Sequence, residues 1–194
     1  MEDSSEWQPD PALADFLAGG DAPVYVGFGS MPGLNPVVLT KSIVNALNHA
    51  GKRGVLATGG GALLNSVTAS HVHMIEGAPQ DKLFPLMSAC IRHGGAGTTA
   101  AALRAGRPQI ICSFFGDQPF WALRMADLGV ATDPLTLKRL TANTLTFHII
   151  QATRGETLRR AQAVARSIAA EDGVGTTVGF LQSAGLLNRI GLID

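Results

Sequence analysis

The sequence predicts an α/β domain: a Rossmann-like, doubly wound sheet of six parallel strands with helices on both faces and a helical C-terminal tail. Three observations carry that expectation. Short apolar runs recur along the chain, separated by helix-length segments, the spacing that parallel strands need for their crossover connections. Two of these runs end in glycine-rich turns that open helices, at Gly29-Ser30 and at His93 to Thr99. Beyond Ala131 the pattern is helical throughout.

Residues 1–22 read as a linker followed by a short apolar helix (Leu13, Phe16, Leu17) that Gly19-Gly20 stops; residues 23–194 read as one domain. The first strand is Val24 to Phe28. Asn35 then suits the N-cap of a helix and Pro36 its first position, with Ile43, Val44 and Leu47 on the apolar face. Val55 to Ala57 and His71 to Ile75 are the next strands, and strict alternation places His71 and His73 on one face. A short helical segment around Lys82 to Met87 leads to Cys90-Ile91, then an alanine-rich helix from Thr98 to Ala105. Gln109 to Cys112, a helix from Pro119 to Leu128, and a short last strand at Gly129 to Ala131 complete the sheet. Helices are expected at Thr141–Gln151, Glu156–Ala170 and Thr176–Ser183. With right-handed crossovers the strand order is 3-2-1-4-5-6.

Composition narrows the partners. Fifteen basic residues balance fifteen acidic ones, so the chain lacks the footprint of a nucleic-acid binder. Cys90 and Cys112 both sit in apolar runs and form no CxxC pair, which reads as packing thiols in a reducing, cytoplasmic setting. No apolar stretch reaches the ~18 residues of a membrane span, and the acidic first ten residues lack the order of a leader.

The chemistry should lie at the carboxyl ends of the strands, where the order reverses between the first and fourth. The turns there are Gly29-Ser30 and His93-Gly94-Gly95-Ala96-Gly97-Thr98-Thr99. Glycines bring backbone N–H groups against a ligand, and the following helix presents about half a positive charge at its first turn. Together they form an anion site suited to a pyrophosphate, to which His93 and Thr98 add donors; Thr98 and Thr99 could alternatively cap the helix. The dinucleotide fingerprint is not met, because Pro32 replaces its third glycine and no acidic residue closes the second strand. No Walker lysine is present either. After the fifth strand, Asp117 and Gln118 open a helix at the same edge, where a carboxylate and an amide can hold sugar hydroxyls. A plain N-cap with Pro119 in the first turn is the competing reading of this pair.

These segments together resemble the C-terminal domain of the UDP-glycosyltransferase superfamily, in its sterol and antibiotic glucosyltransferase branch. The resemblance rests on Pro23 to Met31, Gly77-Ala78-Pro79-Gln80-Asp81-Lys82-Leu83-Phe84-Pro85, His93 to Thr99 and Phe115 to Trp121, four motifs in order. It implies one half of a GT-B fold, with residues 1–22 as interdomain linker and 23–194 as the nucleotide-sugar-binding domain. Gly29, Ser30, His93, Gly95, Gly97 and Thr98 are then the pyrophosphate candidates, Ala78 and Gln80 lie along base and ribose, and Asp117 with Gln118 hold the sugar. Gly77 stands where many relatives have a base-stacking aromatic residue, and Ala101 where plant-type enzymes have a ribose-binding glutamate.

The resemblance further implies a UDP- or TDP-hexose donor, UDP-glucose first, passed with inversion to a hydroxyl of a lipid, sterol or natural-product acceptor. No metal or other cofactor is expected. The general base and the acceptor pocket belong to an N-terminal domain, met in cis or in trans, so this chain by itself is expected to be inactive and to carry no catalytic base. Self-association through the exposed cleft face, and membrane contact only through the N-terminal domain, are the remaining partner expectations. A non-catalytic nucleotide-sugar sensor is the alternative function, and an oxidoreductase-type dinucleotide domain a third.

Overall fold

The computed structural model describes residues 7–31, 35–64, 67 and 69–186; the first six residues of the expected linker lie outside it. Six parallel strands are present: β1 (Val24–Gly27), β2 (Gly54–Ala57), β3 (Val72–Ile75), β4 (Ala89–Arg92), β5 (Gln109–Ser113) and β6 (Leu135–Thr136). Their order is β3-β2-β1-β4-β5-β6, as the crossover argument requires. The helices are α1 (Pro11–Ala18), α2 (Pro36–His49), α3 (Gln80–Leu83), α4 (Ala96–Arg104), α5 (Gln118–Asp127), α6 (Ala142–Ala152), α7 (Gly155–Ala169) and α8 (Gly173–Ser183).

Alternation along each strand assigns the helices to faces. Val24, Val26, Leu56, Ala89, Ile91, Ile110 and Cys112 point to one side, where Leu39, Ile43 and Leu47 of α2 and Leu145 and Ile149 of α6 cover them. On the other side Val55, Ile75 and Cys90 pack against Leu13 of α1, Phe84, Met87 and Ala102 of α4. Farther along that side Ile111 meets Ala122 and Met125 of α5 and Ala161 of α7. Both faces of β2, β1, β4 and β5 are therefore covered, and these strands read as apolar runs because they are buried on two sides. Asn35 caps α2 as its position predicts: its side-chain oxygen accepts the Val37 and Val38 amides at 3.0 and 3.3 Å, a contribution of about 1 kcal/mol. Helix α8 buries none of its residues.

Two expectations are corrected. The sixth strand is not Gly129 to Ala131. Gly129 takes φ +70° and turns the chain out of α5, Ala131 makes only an isolated bridge to Gln109, and the paired strand is Leu135–Thr136 beyond Pro134. His71 and His73 do not share a face. His71 lies in the turn before β3 and bonds the Val44 carbonyl of α2 at 3.1 Å, whereas the His73 ring lies 5.3 Å from that of Phe16 of α1, across the sheet.

Candidate functional site

β1 and β4 are direct neighbours, with Gly27 opposite Arg92. The helix after β1 covers one face and the helix after β4 covers the other, so the chain parts at their carboxyl ends and leaves a crevice. A cavity of about 220 Å³ opens there, bordered by Gly29, Gly59, Glu76, Ala78, Gln80, Arg92, His93 and Thr98 among others. Backbones meet closely around it. A Cβ on Gly60 would fall 1.9 Å from the Gly29 carbonyl carbon, so only glycine lets the β1 and β2 loops touch. Gly94 has φ +95°, and a Cβ there would lie 2.5 Å from Ile111 Cγ2; this turn aims the following helix at the crevice.

That helix is α4. Its N-cap is Gly95, with no side-chain cap hydrogen bond, so the alternative in which Thr98 or Thr99 caps it is not what the structure shows. Both threonines lie inside the first turn, and their hydroxyls donate back to the Gly95 carbonyl at 3.0 and 2.8 Å. The first-turn amides thus have no side-chain cap and form the positive end of the helix dipole. Beneath them Arg92 is buried, with Nη1 donating to Thr98 and Thr99 Oγ1 and Nη2 donating to Gln109 Oε1. Burial pulls the guanidinium down to about 10, which leaves it cationic at neutral pH. His93 is half-buried and its Nδ1 has no partner. Desolvation holds its pKa below the ordinary 6.5, the Arg92 charge lowers it further, and Asp117 opposes the shift, a balance that favours the neutral imidazole at pH 7.

The two sugar candidates stand beside this loop and outside the cavity lining. Asp117 occupies the N-cap position of α5 without capping it; its carboxylate accepts the Trp121 indole N–H at 2.8 Å. Gln118 is buried, and its Oε1 accepts the Phe114 and Phe115 amides at 2.7 and 3.3 Å. Its Nε2 reaches Met31 Sδ at 3.5 Å, tying α5 to the turn after β1.

The cavity therefore gathers Gly29, Ala78, Gln80, His93 and Thr98 from the expected set. Gly95 and Gly97 form the N-cap and first turn of α4, Ser30 is exposed in the turn after β1, and Asp117 and Gln118 adjoin through His93 and Gly94. Sequence reasoning gave no role to Arg92, Glu76, Tyr25 or the Gly59-Gly60 pair, all of which border the cavity. Arg92 carried a readable signal: a charged residue closing an otherwise apolar, doubly covered strand is anomalous.

Known proteins share this fold. Residues 55–178 match the family described as erythromycin biosynthesis protein CIII-like, C-terminal domain. The chain belongs to that family of GT-B glycosyltransferase C-terminal domains. This EryCIII-like domain is 38% identical over 176 residues to a sterol 3-beta-glucosyltransferase of Arabidopsis thaliana, covering 90% of this chain and 28% of the relative. It is 39% identical over 191 residues to a sterol 3-beta-glucosyltransferase of Emericella nidulans, covering 92% of this chain and 14% of that one. The chain thus spans less than a third of the length of these relatives. Its fold is similar to that of the calicheamicin glycosyltransferase CalG4, with TM-score 0.70 and 21% identity over 96% of this chain and 45% of the other. The glycosyltransferase VinC in complex with DTDP is also similar, with TM-score 0.71 and 21% identity over 91% and 44%. Among the described residues no helix is long and apolar enough to cross a membrane.

Proposed function

We propose that this EryCIII-like domain is the donor-binding half of an inverting glycosyltransferase. It holds a UDP- or TDP-hexose, UDP-glucose first, for transfer to a hydroxyl of a sterol, lipid or natural-product acceptor. The observation that carries the reading is the crevice at the carboxyl ends of β1 and β4, which brings Gly29, Ala78, Gln80, His93 and Thr98 together under an N-terminus without a side-chain cap. Relatives named as sterol 3-beta-glucosyltransferases support a glucose donor and a sterol acceptor.

In this reading Ala78 and Gln80 lie along base and ribose. The pyrophosphate sits on Gly29, Ser30, Gly95 and Gly97, and takes hydrogen bonds from Thr98 and neutral His93. Asp117 holds sugar hydroxyls once its carboxylate shares or leaves the Trp121 indole, and the Gln118 side chain, engaged with the loop amides, places the turn that presents it. When the acceptor oxygen attacks the anomeric carbon, the bond to the diphosphate breaks and negative charge grows on the leaving oxygens. Preorganised donors at those oxygens stabilise the transition state by about 3 kcal/mol each, with no metal in the scheme. The general base and the acceptor site lie in an N-terminal domain. The two buried free thiols, Cys90 and Cys112, suit a cytoplasmic setting.

Calorimetry of the chain with UDP, TDP and NADH tests the reading. UDP or TDP should bind and NADH should not; binding of NADH alone would overturn it. Thr98→Ala should weaken UDP about tenfold, or about 1.4 kcal/mol, and an unchanged affinity removes Thr98 from the site.

A further inference from the structure

Three protons converge on one carbonyl beneath the α4 N-terminus. The Gly95 oxygen accepts from the Thr99 amide at 2.9 Å, from Thr99 Oγ1 at 2.8 Å and from Thr98 Oγ1 at 3.0 Å. A carbonyl offers two lone pairs, so one donor is surplus, and the longest of the three is that of Thr98. The other side of both hydroxyls is held by a single cation. Arg92 Nη1 donates to Thr98 Oγ1 at 3.1 Å and to Thr99 Oγ1 at 2.9 Å. A guanidinium has five donors and no acceptor, so neither threonine can turn its proton toward Arg92.

Arg92 is itself unusual. It is 1% exposed, borders the cavity, and its Nε has no partner. The ionisable groups that act on it are Cys90 and Tyr25, each pushed up to about 12 chiefly by burial and therefore neutral at pH 7. Among the described residues no carboxylate joins them in acting on it, and a buried charge without a counterion is costly until an anion arrives.

We propose that Arg92 is the positioning residue of the phosphate grip: it makes Thr98 an obligate hydroxyl donor to a diphosphate and supplies the countercharge. The inference rests on the reading of this cavity as a nucleoside diphosphate site. On binding, the Thr98 proton turns from the Gly95 carbonyl to a phosphate oxygen. Gly95 keeps both Thr99 donors and Arg92 keeps its bonds to Thr98 and Thr99, so no buried group is left unpaired by the switch. The donation from Arg92 polarises the Thr98 O–H and strengthens its bond to the anion.

The test compares calorimetric affinities for UDP and UMP in the wild-type chain and in Arg92→Gln and Arg92→Lys. Arg92→Gln should cut the preference for UDP over UMP about tenfold, with UMP itself changed less than about twofold, and Arg92→Lys should recover about a third of the loss. Thr98→Ala, costly in the wild-type background, should cost less than about threefold in Arg92→Gln, a coupling that a purely structural Arg92 would not produce. Wild-type binding of UDP with an unchanged UDP:UMP preference in Arg92→Gln overturns the proposal, as does an equal loss of both nucleotides. No UDP binding by wild type overturns the reading of the cavity instead. Should Arg92→Gln not fold, ¹⁵N-arginine NMR of the wild-type chain decides: the Arg92 Nε–H signal should move more with UDP than with UMP, and a signal unmoved by saturating UDP is the refuting result.

Discussion

Two glycine-containing turns lie side by side at the carboxyl edge of this sheet, and they manage their polar groups in opposite ways. The turn after β4 leaves capacity unused: the first turn of α4 has no side-chain cap, His93 Nδ1 and Arg92 Nε have no partner, and the Gly95 carbonyl receives one donor too many. The turn after β5 engages its own side chains. Gln118 Oε1 holds two loop amides and Asp117 holds the Trp121 indole. The first turn leaves polar groups free, and the second engages its own side chains. Two motifs that look equally functional in sequence therefore differ in what they leave free.

The largest expected effect breaks the first turn outright. Gly94→Val puts a branched side chain at φ +95° and within 2.5 Å of Ile111 Cγ2, and should destabilise the chain by about 3 kcal/mol in urea unfolding; a loss below about 1 kcal/mol would show that the turn yields easily. Next, Gln118→Ala strips the acceptor from two loop amides and should cost about 2 kcal/mol. Gln118→Glu, which keeps an acceptor, should recover most of that, and no difference between the two would mean that the second turn does not depend on this bond.

The smallest effect separates the turns by pH. His93 is held below the ordinary histidine value of 6.5, chiefly by desolvation, so the unfolded chain binds more protons than the folded one as pH falls. The stability it confers is complete above that value and is lost as pH falls from it through the lower value of the folded state. Midpoints in urea should decline from pH 7 to pH 5, less steeply in His93→Asn, while Gln118→Ala keeps the wild-type slope. His148, also held low chiefly by burial, sustains the remaining decline. Equal slopes in wild type and His93→Asn would show that the first turn carries no such proton linkage.

Much of this was legible before any coordinates. The strand order follows from helix-length spacers and handedness, and Asn35-Pro36 marked the start of α2 to the residue. The sixth strand was not legible, because a two-residue edge strand is chosen by what it can pair with and not by its own pattern. Of the cavity residues, Gly29, His93 and Thr98 were readable from glycine, histidine and threonine at strand-to-helix turns, whereas Ala78 and Gln80 came only with the family resemblance. Arg92 was legible only as an anomalous charge closing an apolar strand; its role was not, since its partners Thr98, Thr99 and Gln109 come from a helix and a strand that follow it. The engagement of Gln118 was hidden for the same reason: a side chain's availability is decided by its neighbours in space.

The reversal of strand order also has a kinetic side. Tyr25 pairs with Cys90, 65 residues farther along the chain, so forming the crevice closes a loop that contains β2 and β3. Closing so long a loop is slow compared with forming any single helix. On the proposed reading of the cleft, a nucleotide recognises only the finished domain. Each bound molecule draws the population out of the partly folded ensemble, by about 2.7 kcal/mol when it is present at a hundred times its dissociation constant. The strand arrangement that creates the cleft also makes its occupant a measure of completed folding.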